Sequence, residues 1–183
     1  MPALAWVISV IYIAGFATLS RPPKCGGKKH GLLMVHQLVY NSAATSPDLD
    51  RKDLDRILIG ARKRNDLLGV TGLLVYHRGE FLQLLEGDYD AVQHIYHDII
   101  LHDERHSAIG IAWQDRVAQR CFSQWSMGFA DTSGTASPVT PTQLGYLGSS
   151  LDKLDLSGPA TVGCSLLMSM YHHVCRMPIA SPY

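Results

Sequence analysis

The middle of the 183-residue chain is predicted to form an α+β domain, and two observations carry this prediction. Two segments repeat apolar residues at helical spacing, so each would form a helix with a single apolar face. Five other segments are rich in β-branched and aromatic residues and are bounded by turn residues, which is typical of strands. Because each helix has one face to bury, a sheet is the partner available to both.

The first strand is predicted in "MVHQLVYNS" and the first helix in "TSPDLDRKDLDRILIGARKRN". Thr45 or Ser46 can cap this helix, and Pro47 suits its first turn. Its apolar face consists of Leu54, Ile57, Leu58 and Ala61. The cations of Arg62–Arg64 fall in the last turn, where they suit the helix dipole.

The stretch "GVTGLLVYHRGEFLQLLEG" predicts two strands around a tight turn at His77–Glu80. Asp88 then opens a second helix, whose apolar residues are Val92, Ile95, Tyr96, Ile99 and Ile100. "AIGIAWQDRVA" predicts a fourth strand, and "RCFSQWSMGFA" predicts a loop that leads into a short fifth.

The resulting order, β-α-β-β-α-β-β, predicts a ferredoxin-like sandwich. It has a mixed five-stranded sheet, both helices on one face, and the first and third strands at its centre. The groove between the two helices is the natural ligand slot of this arrangement.

One glutamine stands out in the predicted third strand. Side chains alternate along a strand, so Gln83 shares a face with Phe81 and Leu85. An amide buried without a partner costs about 1–3 kcal/mol. Gln83 is therefore expected to bond either to the protein or to a ligand.

Composition narrows the class of protein. The formal net charge is zero, which gives no basic footprint for nucleic acid. The four cysteines are widely spaced and form no CxxC pair, which disfavours a zinc site and favours free thiols: Cys25, Cys121, Cys164 and Cys175. His94 and His97 share a helix face without a third ligand, so we predict no metal site.

The two ends of the chain differ from its middle. Residues 1–33 hold the apolar run "ALAWVISVIYIAGFATL", which is compatible with a membrane anchor, a cleaved signal or a mis-assigned start before Met34. The cations that follow the run would keep the remainder in the cytoplasm, tethered if the anchor is real. Residues 132–183 predict a linker and then a helix in "VGCSLLMSMYHHVCRM", leaving 34–131 as the main domain.

Five motifs then occur in a specific order: "LVYNS", "RNDLLGVTGLLVY", "EFLQLLEG", "DERH" and "QWSMGF". Together they resemble the BLUF family, domains that sense blue light with FAD, over about Val35 to Phe129. The resemblance implies a non-covalently bound flavin between the helices. It further implies light-driven electron and proton transfer from Tyr40 and a hydrogen-bond rearrangement of Gln83. The chain would be a non-enzymatic photoreceptor.

The same resemblance assigns the other site residues. Asn65 and Ser42 match positions beside the flavin ring, and Trp125 and Met127 match the signal relay. Arg105 and His106 match the periphery of the ligand. Leu67 departs from the family pattern by removing a basic or small residue, and Arg64 supplies a charge nearby. FMN or riboflavin could therefore bind as well as FAD.

Output would pass to a downstream signalling protein or through a homo-oligomer, because residues 132–183 hold no enzyme motif and are too few for a catalytic domain. The alternative is a ferredoxin-like interaction module that has lost its flavin. A flavin oxidoreductase is weaker, since the sequence lacks a nicotinamide fingerprint.

Overall fold

The computed structural model describes residues 34–46, 49, 51–123, 125–131 and 161–176. It confirms the predicted order of elements, but the first helix begins at Arg51, so Thr45 and Ser46, which lie in a bend, do not cap it. The strands are β1 (Val35–Ala44), β2 (Thr71–His77), β3 (Glu80–Gly87), β4 (His106–Val117) and β5 (Gly128–Asp131). The helices are α1 (Arg51–Leu67), α2 (Tyr89–His94) and α3 (Val162–Arg176).

The five strands form one mixed sheet in the order β4-β1-β3-β2-β5. β1 is antiparallel to both β3 and β4, and β2 is antiparallel to β3. β5 lies parallel to β2 at the edge. The first and third strands are therefore inside the sheet, which confirms the ferredoxin-like prediction.

Both faces of the sheet are covered, so the strands separate two apolar cores. The core under α1 and α2 includes Leu58, Ile95, Phe81 and Leu85. The core on the opposite face is closed by α3, whose Leu167 packs against strand residues. The predicted C-terminal helix thus packs on its own domain.

Local chemistry explains the β2–β3 turn. The chain reverses over Arg78 and Gly79, whose φ angles are 48° and 87°. Two successive positive φ values match the right-handed twist of the paired strands, which is why two-residue hairpins favour this turn. The predicted tight turn is confirmed.

The second helix begins as predicted and then changes pitch. Asp88 caps it by accepting a hydrogen bond of 3.0 Å from the backbone N–H of Asp90. After His94 the chain continues as a π-helical turn, Ile95–Ile99, and a 3₁₀ turn, Ile100–His102. This change of pitch leaves Ile99 only partly buried, while Ile95 and Ile100 are buried.

Several features predicted from the sequence lie outside the described residues. These are the apolar run within residues 1–33, the linker after Asp131, and Pro47 of the first helical turn. Among the residues that the structure does describe, no helix has the length and apolar character needed to cross a membrane.

Gly163 allows α3 to approach the sheet closely. A Cβ there would lie 2.6 Å from Cζ3 of Trp113 and 2.9 Å from Oε1 of Gln37. Real Cβ contacts are essentially never this short, so any side chain at this position must displace the indole ring.

Gly163→Ala is expected to lower the free energy of unfolding by about 1–2 kcal/mol, because overpacking outweighs the better helix propensity of alanine. Urea denaturation followed by circular dichroism measures the change. Ser165→Ala, at an exposed position two residues along α3, is the control and should have little effect. An unchanged midpoint for Gly163→Ala would show that the indole ring moves aside freely.

Candidate functional site

The candidate site is built around two side chains that the sheet register places opposite each other. Tyr40 of β1 pairs with Gln83 of β3, and both project toward α1 and α2. The Tyr40 hydroxyl donates a hydrogen bond to Oε1 of Gln83. Tyr40 is 1 % exposed and Gln83 is 6 % exposed. Burial raises the pKa of Tyr40 well above its usual value, so the phenol keeps its proton.

The other end of the Gln83 amide also has a partner. Its Nε2 donates to Sδ of Met127 over 3.2 Å. Both ends of the buried amide are thus satisfied by the protein itself, which answers the question that its position in the sequence raises. Because a thioether is a weak acceptor, the Nε2 bond is the weaker of the two.

Helix α1 holds the segment that carries Met127. Asn65 donates from Nδ2 to the backbone oxygen of Ser126 over 2.8 Å. Arg62, one turn earlier, donates from Nε to the backbone oxygen of Met127 over 2.9 Å. Two consecutive carbonyls are therefore fixed by the same helix, just before β5 begins.

The role of Arg62 was missed by sequence reasoning, which assigned it only to the cationic end of α1. Its contact joins residues 65 positions apart in the chain. A guanidinium at a helix end has the same local pattern whether it is solvated or holds a distant carbonyl. No signal in the sequence distinguishes the two cases.

Ser42 and His106 form a second polar pair beside the first. Oγ of Ser42 lies 2.8 Å from Nδ1 of His106, whose ring centroid is 4.7 Å from that of Phe81. Burial of the imidazole lowers the pKa of His106, and the nearby Asp103 carboxylate offsets part of this effect. The ring is therefore neutral at pH 7 and forms part of the wall around Phe81.

Arg105 is directed elsewhere. Its guanidinium makes two bonds to the Asp103 carboxylate, of 2.8 and 2.5 Å, and the side chain is about half exposed. This ion pair holds Arg105 at the surface beside the site, and the described contacts do not bring it to Tyr40 or Gln83.

Trp125 and Met127 are separated by the sheet, although the sequence places them two residues apart. Met127 lies in the core with Tyr40, whereas Trp125 packs on the opposite face. The Trp125 ring stacks on Phe122, with centroids 6.2 Å apart. The chain bends at Ser126 and Met127 before β5 begins, so strand alternation does not apply to this pair.

The groove between α1 and α2 is an open cleft of about 370 Å³. It is lined by Gly60, Lys63, Arg64, Leu67, Leu68 and His94. Nε of Arg64 is buried and has no hydrogen-bond partner among the residues that the structure describes. A buried guanidinium N–H without a partner suits an anionic group such as phosphate, and Leu67 adds an exposed apolar wall.

The domain thus has a buried tyrosine–glutamine pair in its core and a basic, helix-lined cleft at its surface. The family model described as "BLUF: Sensors of blue-light using FAD" matches residues 35–128, just over half of the chain. The chain belongs to the BLUF family and contains a blue-light sensor domain of that type, as its motifs indicated.

Relatives of known function contain this domain within longer proteins. The photoactivated adenylate cyclase subunit beta of Euglena longa is 34% identical over 127 residues, which is 68% of this chain and 14% of that protein. The protein of the same name from Euglena gracilis is also 34% identical over 127 residues, or 15% of its length. The chain therefore spans about one seventh of these relatives.

Solved structures show the same fold. The photo-activated state of BlsA matches with a TM-score of 0.52 and 32% identity, covering 55% of this chain and 72% of that one. Klebsiella pneumoniae BlrP1, in a structure titled "with FMN and cyclic diGMP", matches with a TM-score of 0.50 and 32% identity. That match covers 54% of this chain and 26% of BlrP1.

Because the buried ring of His106 is neutral, the free energy of unfolding depends on pH. The folded pKa of His106 lies below its unfolded value of about 6.5, so the unfolded chain binds the proton first as pH falls. The stability contributed by the neutral ring is complete above pH ~6.5 and is lost as pH falls through that value toward the folded pKa.

His106→Asn, which retains a polar partner for Ser42, is expected to flatten the decrease in unfolding free energy between about pH 7 and pH 5. Urea denaturation at several pH values measures the slope. His97→Asn, at an exposed position, is the control. An equal slope in the His106 variant and the parent protein would contradict the assignment of a neutral buried ring.

Proposed function

We propose that this chain is a blue-light photoreceptor that binds FAD non-covalently between α1 and α2 and signals through Tyr40 and Gln83. The observation that carries the proposal is the continuous chain of buried bonds from Tyr40 through Gln83 to Met127. It lies in a domain of the BLUF family that also has a cleft whose basic wall suits a phosphorylated ligand.

The residues that would hold the flavin come from three elements. Asn65 and Gln83 would bond the ring, and Ser42 would lie beside it. Arg64 has a buried N–H without a partner in the described structure and would meet a phosphate. Arg105 and His106 would lie at the periphery. BlrP1 is titled as a complex with FMN, so FMN remains the alternative to FAD.

A flavin held by these residues would supply, on absorbing blue light, a strong oxidant for Tyr40. The phenol is protonated in the dark because burial raises its pKa. Tyr40 would give up an electron, and its hydroxyl proton is already directed at Oε1 of Gln83. The Gln83 amide, which carries a donor and an acceptor end, would then exchange its partners. Its weak bond to the Met127 sulfur is the contact most easily given up.

The output would leave the site through the segment before β5. Met127 is held by Gln83 through its sulfur and by Arg62 through its carbonyl. Loss of the Gln83 contact would therefore alter Met127 and the neighbouring Ser126–Asn65 bond together. Trp125, on the opposite face, would carry the change toward α3. The receiver would be a signalling protein or a second copy of this chain, without catalysis by the sensor itself.

One observation favours a second candidate, a flavin-free interaction module. Because Tyr40 and Met127 satisfy both ends of the Gln83 amide, that amide does not by itself require a ligand. The buried N–H of Arg64 instead favours a bound ligand, because burying it without a hydrogen-bond partner costs free energy. Flavin binding by the purified protein distinguishes the two candidates.

The purified full chain, loaded with FAD, is expected to show a flavin spectrum that shifts to the red under blue light and recovers in darkness. Tyr40→Phe and Gln83→Leu should bind FAD and lose this shift, because they remove the donor and the rearranging amide. Tyr89→Phe, at a half-exposed tyrosine, is the control and should shift normally. A normal shift in Tyr40→Phe would remove Tyr40 as the donor, and a chain that binds no FAD would favour the interaction module.

Arg64→Met is expected to weaken FAD and FMN binding about tenfold, the loss of one charge-assisted bond to phosphate. Riboflavin, which has no phosphate, should lose much less affinity. Fluorescence titration with the three flavins measures the difference. Arg56→Met is the matched control, because that side chain is 73% exposed on the same helix. Equal losses for all three flavins would contradict a phosphate contact at Arg64.

A further inference from the structure

Two cysteines meet on the sheet face opposite Tyr40 and Gln83. Cys121 lies in the segment between β4 and β5, and Cys164 lies in the first turn of α3. Both are present as thiols, and both belong to the core that α3 closes. Their side chains lie close together, because Thr161 contacts both residues. The widely spaced cysteines of the sequence thus include a neighbouring pair.

Thr161 holds the two cysteines near each other. Oγ1 of Thr161 lies 3.1 Å from Sγ of Cys121 and accepts a hydrogen bond of 3.2 Å from the backbone N–H of Cys164. Nε2 of Gln37 donates to Sγ of Cys121 over 3.4 Å. Thr161 and Gln37 therefore hold the Cys121 sulfur near Cys164, while Cys121 itself stays partly exposed.

The surroundings make the two sulfurs chemically different. Hydrogen bonds from Cys164, Thr161 and Gln37 lower the pKa of Cys121 to about 6, against the effects of burial and the Glu86 carboxylate. The hydrogen bond to Cys121 and burial raise the pKa of Cys164. Cys121 is thus both the more acidic and the more accessible of the two thiols. Thiolates are the form that oxidants attack.

We propose that Cys121 and Cys164 are a modification site for hydroperoxides and form a reversible disulfide that fastens α3 to the β4–β5 segment. The Cys121 sulfur attacks the peroxide, an S–O bond forms, the O–O bond breaks, and hydroxide or alkoxide leaves and takes up a proton. The Cys164 sulfur then attacks Cys121. An S–S bond forms, the S–O bond breaks, and hydroxide leaves with the Cys164 proton as water. Two thiols lose two electrons in total, and the peroxide is reduced.

The disulfide would change how α3 is attached. In the thiol form, apolar contacts of residues such as Leu167 and Tyr171 hold the helix on the sheet. A covalent bond to Cys121 would stop the first turn of α3 from leaving that face. This inference is independent of flavin binding, so its test can fail or succeed whatever the absorption spectrum shows.

The test oxidises the full chain with hydrogen peroxide in darkness, blocks the remaining thiols and maps peptides by mass spectrometry. The expected result is a peptide pair joined through Cys121 and Cys164 that separates on treatment with dithiothreitol. Hydrogen exchange of the α3 amides should be slower in the oxidised protein. The same map is made for a Cys25→Ser, Cys175→Ser background, which removes the other two cysteines.

Single variants test the order of the two steps. In Cys164→Ser the sulfenic acid should persist on Cys121 and react with dimedone. In Cys121→Ser the buried Cys164 should remain a thiol. Circular dichroism checks that each variant is folded, and Cys→Ala versions replace any that are not. Stable sulfinic acid on Cys121 in the parent protein, no reaction of Cys121, or exclusive pairing with Cys25 or Cys175 would each overturn the proposal.

Discussion

The pairing of Tyr40 with Gln83 across β1 and β3 is the constraint on which the site depends. Backbone register alone puts the two residues opposite each other, and the apolar core around them leaves few partners for their polar groups. The contacts that lead to β5 start from this pair. Met127 is bonded to Gln83, and Arg62 in turn holds Met127. A change in one hydrogen bond at the pair therefore reaches the edge of the sheet through two contacts.

The third strand connects this site to the far side of the molecule. Gln83 faces α1 and α2, whereas Glu86 is fully buried on the face toward α3. The Glu86 carboxylate accepts three bonds of 2.7 Å, from Nε2 of Gln37 and from the backbone N–H groups of Cys121 and Phe122. These bonds compensate a buried charge and fix the segment before β5. One end of that segment is thus bonded to Glu86 of β3 on the face toward α3. The other end, at Met127, is bonded to Gln83 of β3 on the opposite face.

The sequence predicted those features that local patterns determine. Helical periodicity, the cap at Asp88 and the turn at Arg78–Gly79 all follow from neighbouring residues, and family motifs located Tyr40 and Gln83. It did not predict the contacts that tertiary packing determines. The face occupied by Trp125 depends on a bend, and the partner of Arg62 lies 65 residues away. The contact of Cys121 with Cys164 likewise depends on where α3 lies.

The fifth strand has a consequence for dynamics. β5 has four residues, lies at the sheet edge and pairs with β2 alone. A four-residue ladder supplies few backbone hydrogen bonds, whereas all four residues of β5 are buried. Side-chain packing therefore holds β5 in place more than its ladder does, and Met127 is buried in the core just before the strand begins. A change in the packing of Met127 thus acts directly on the contacts that keep β5 in the sheet.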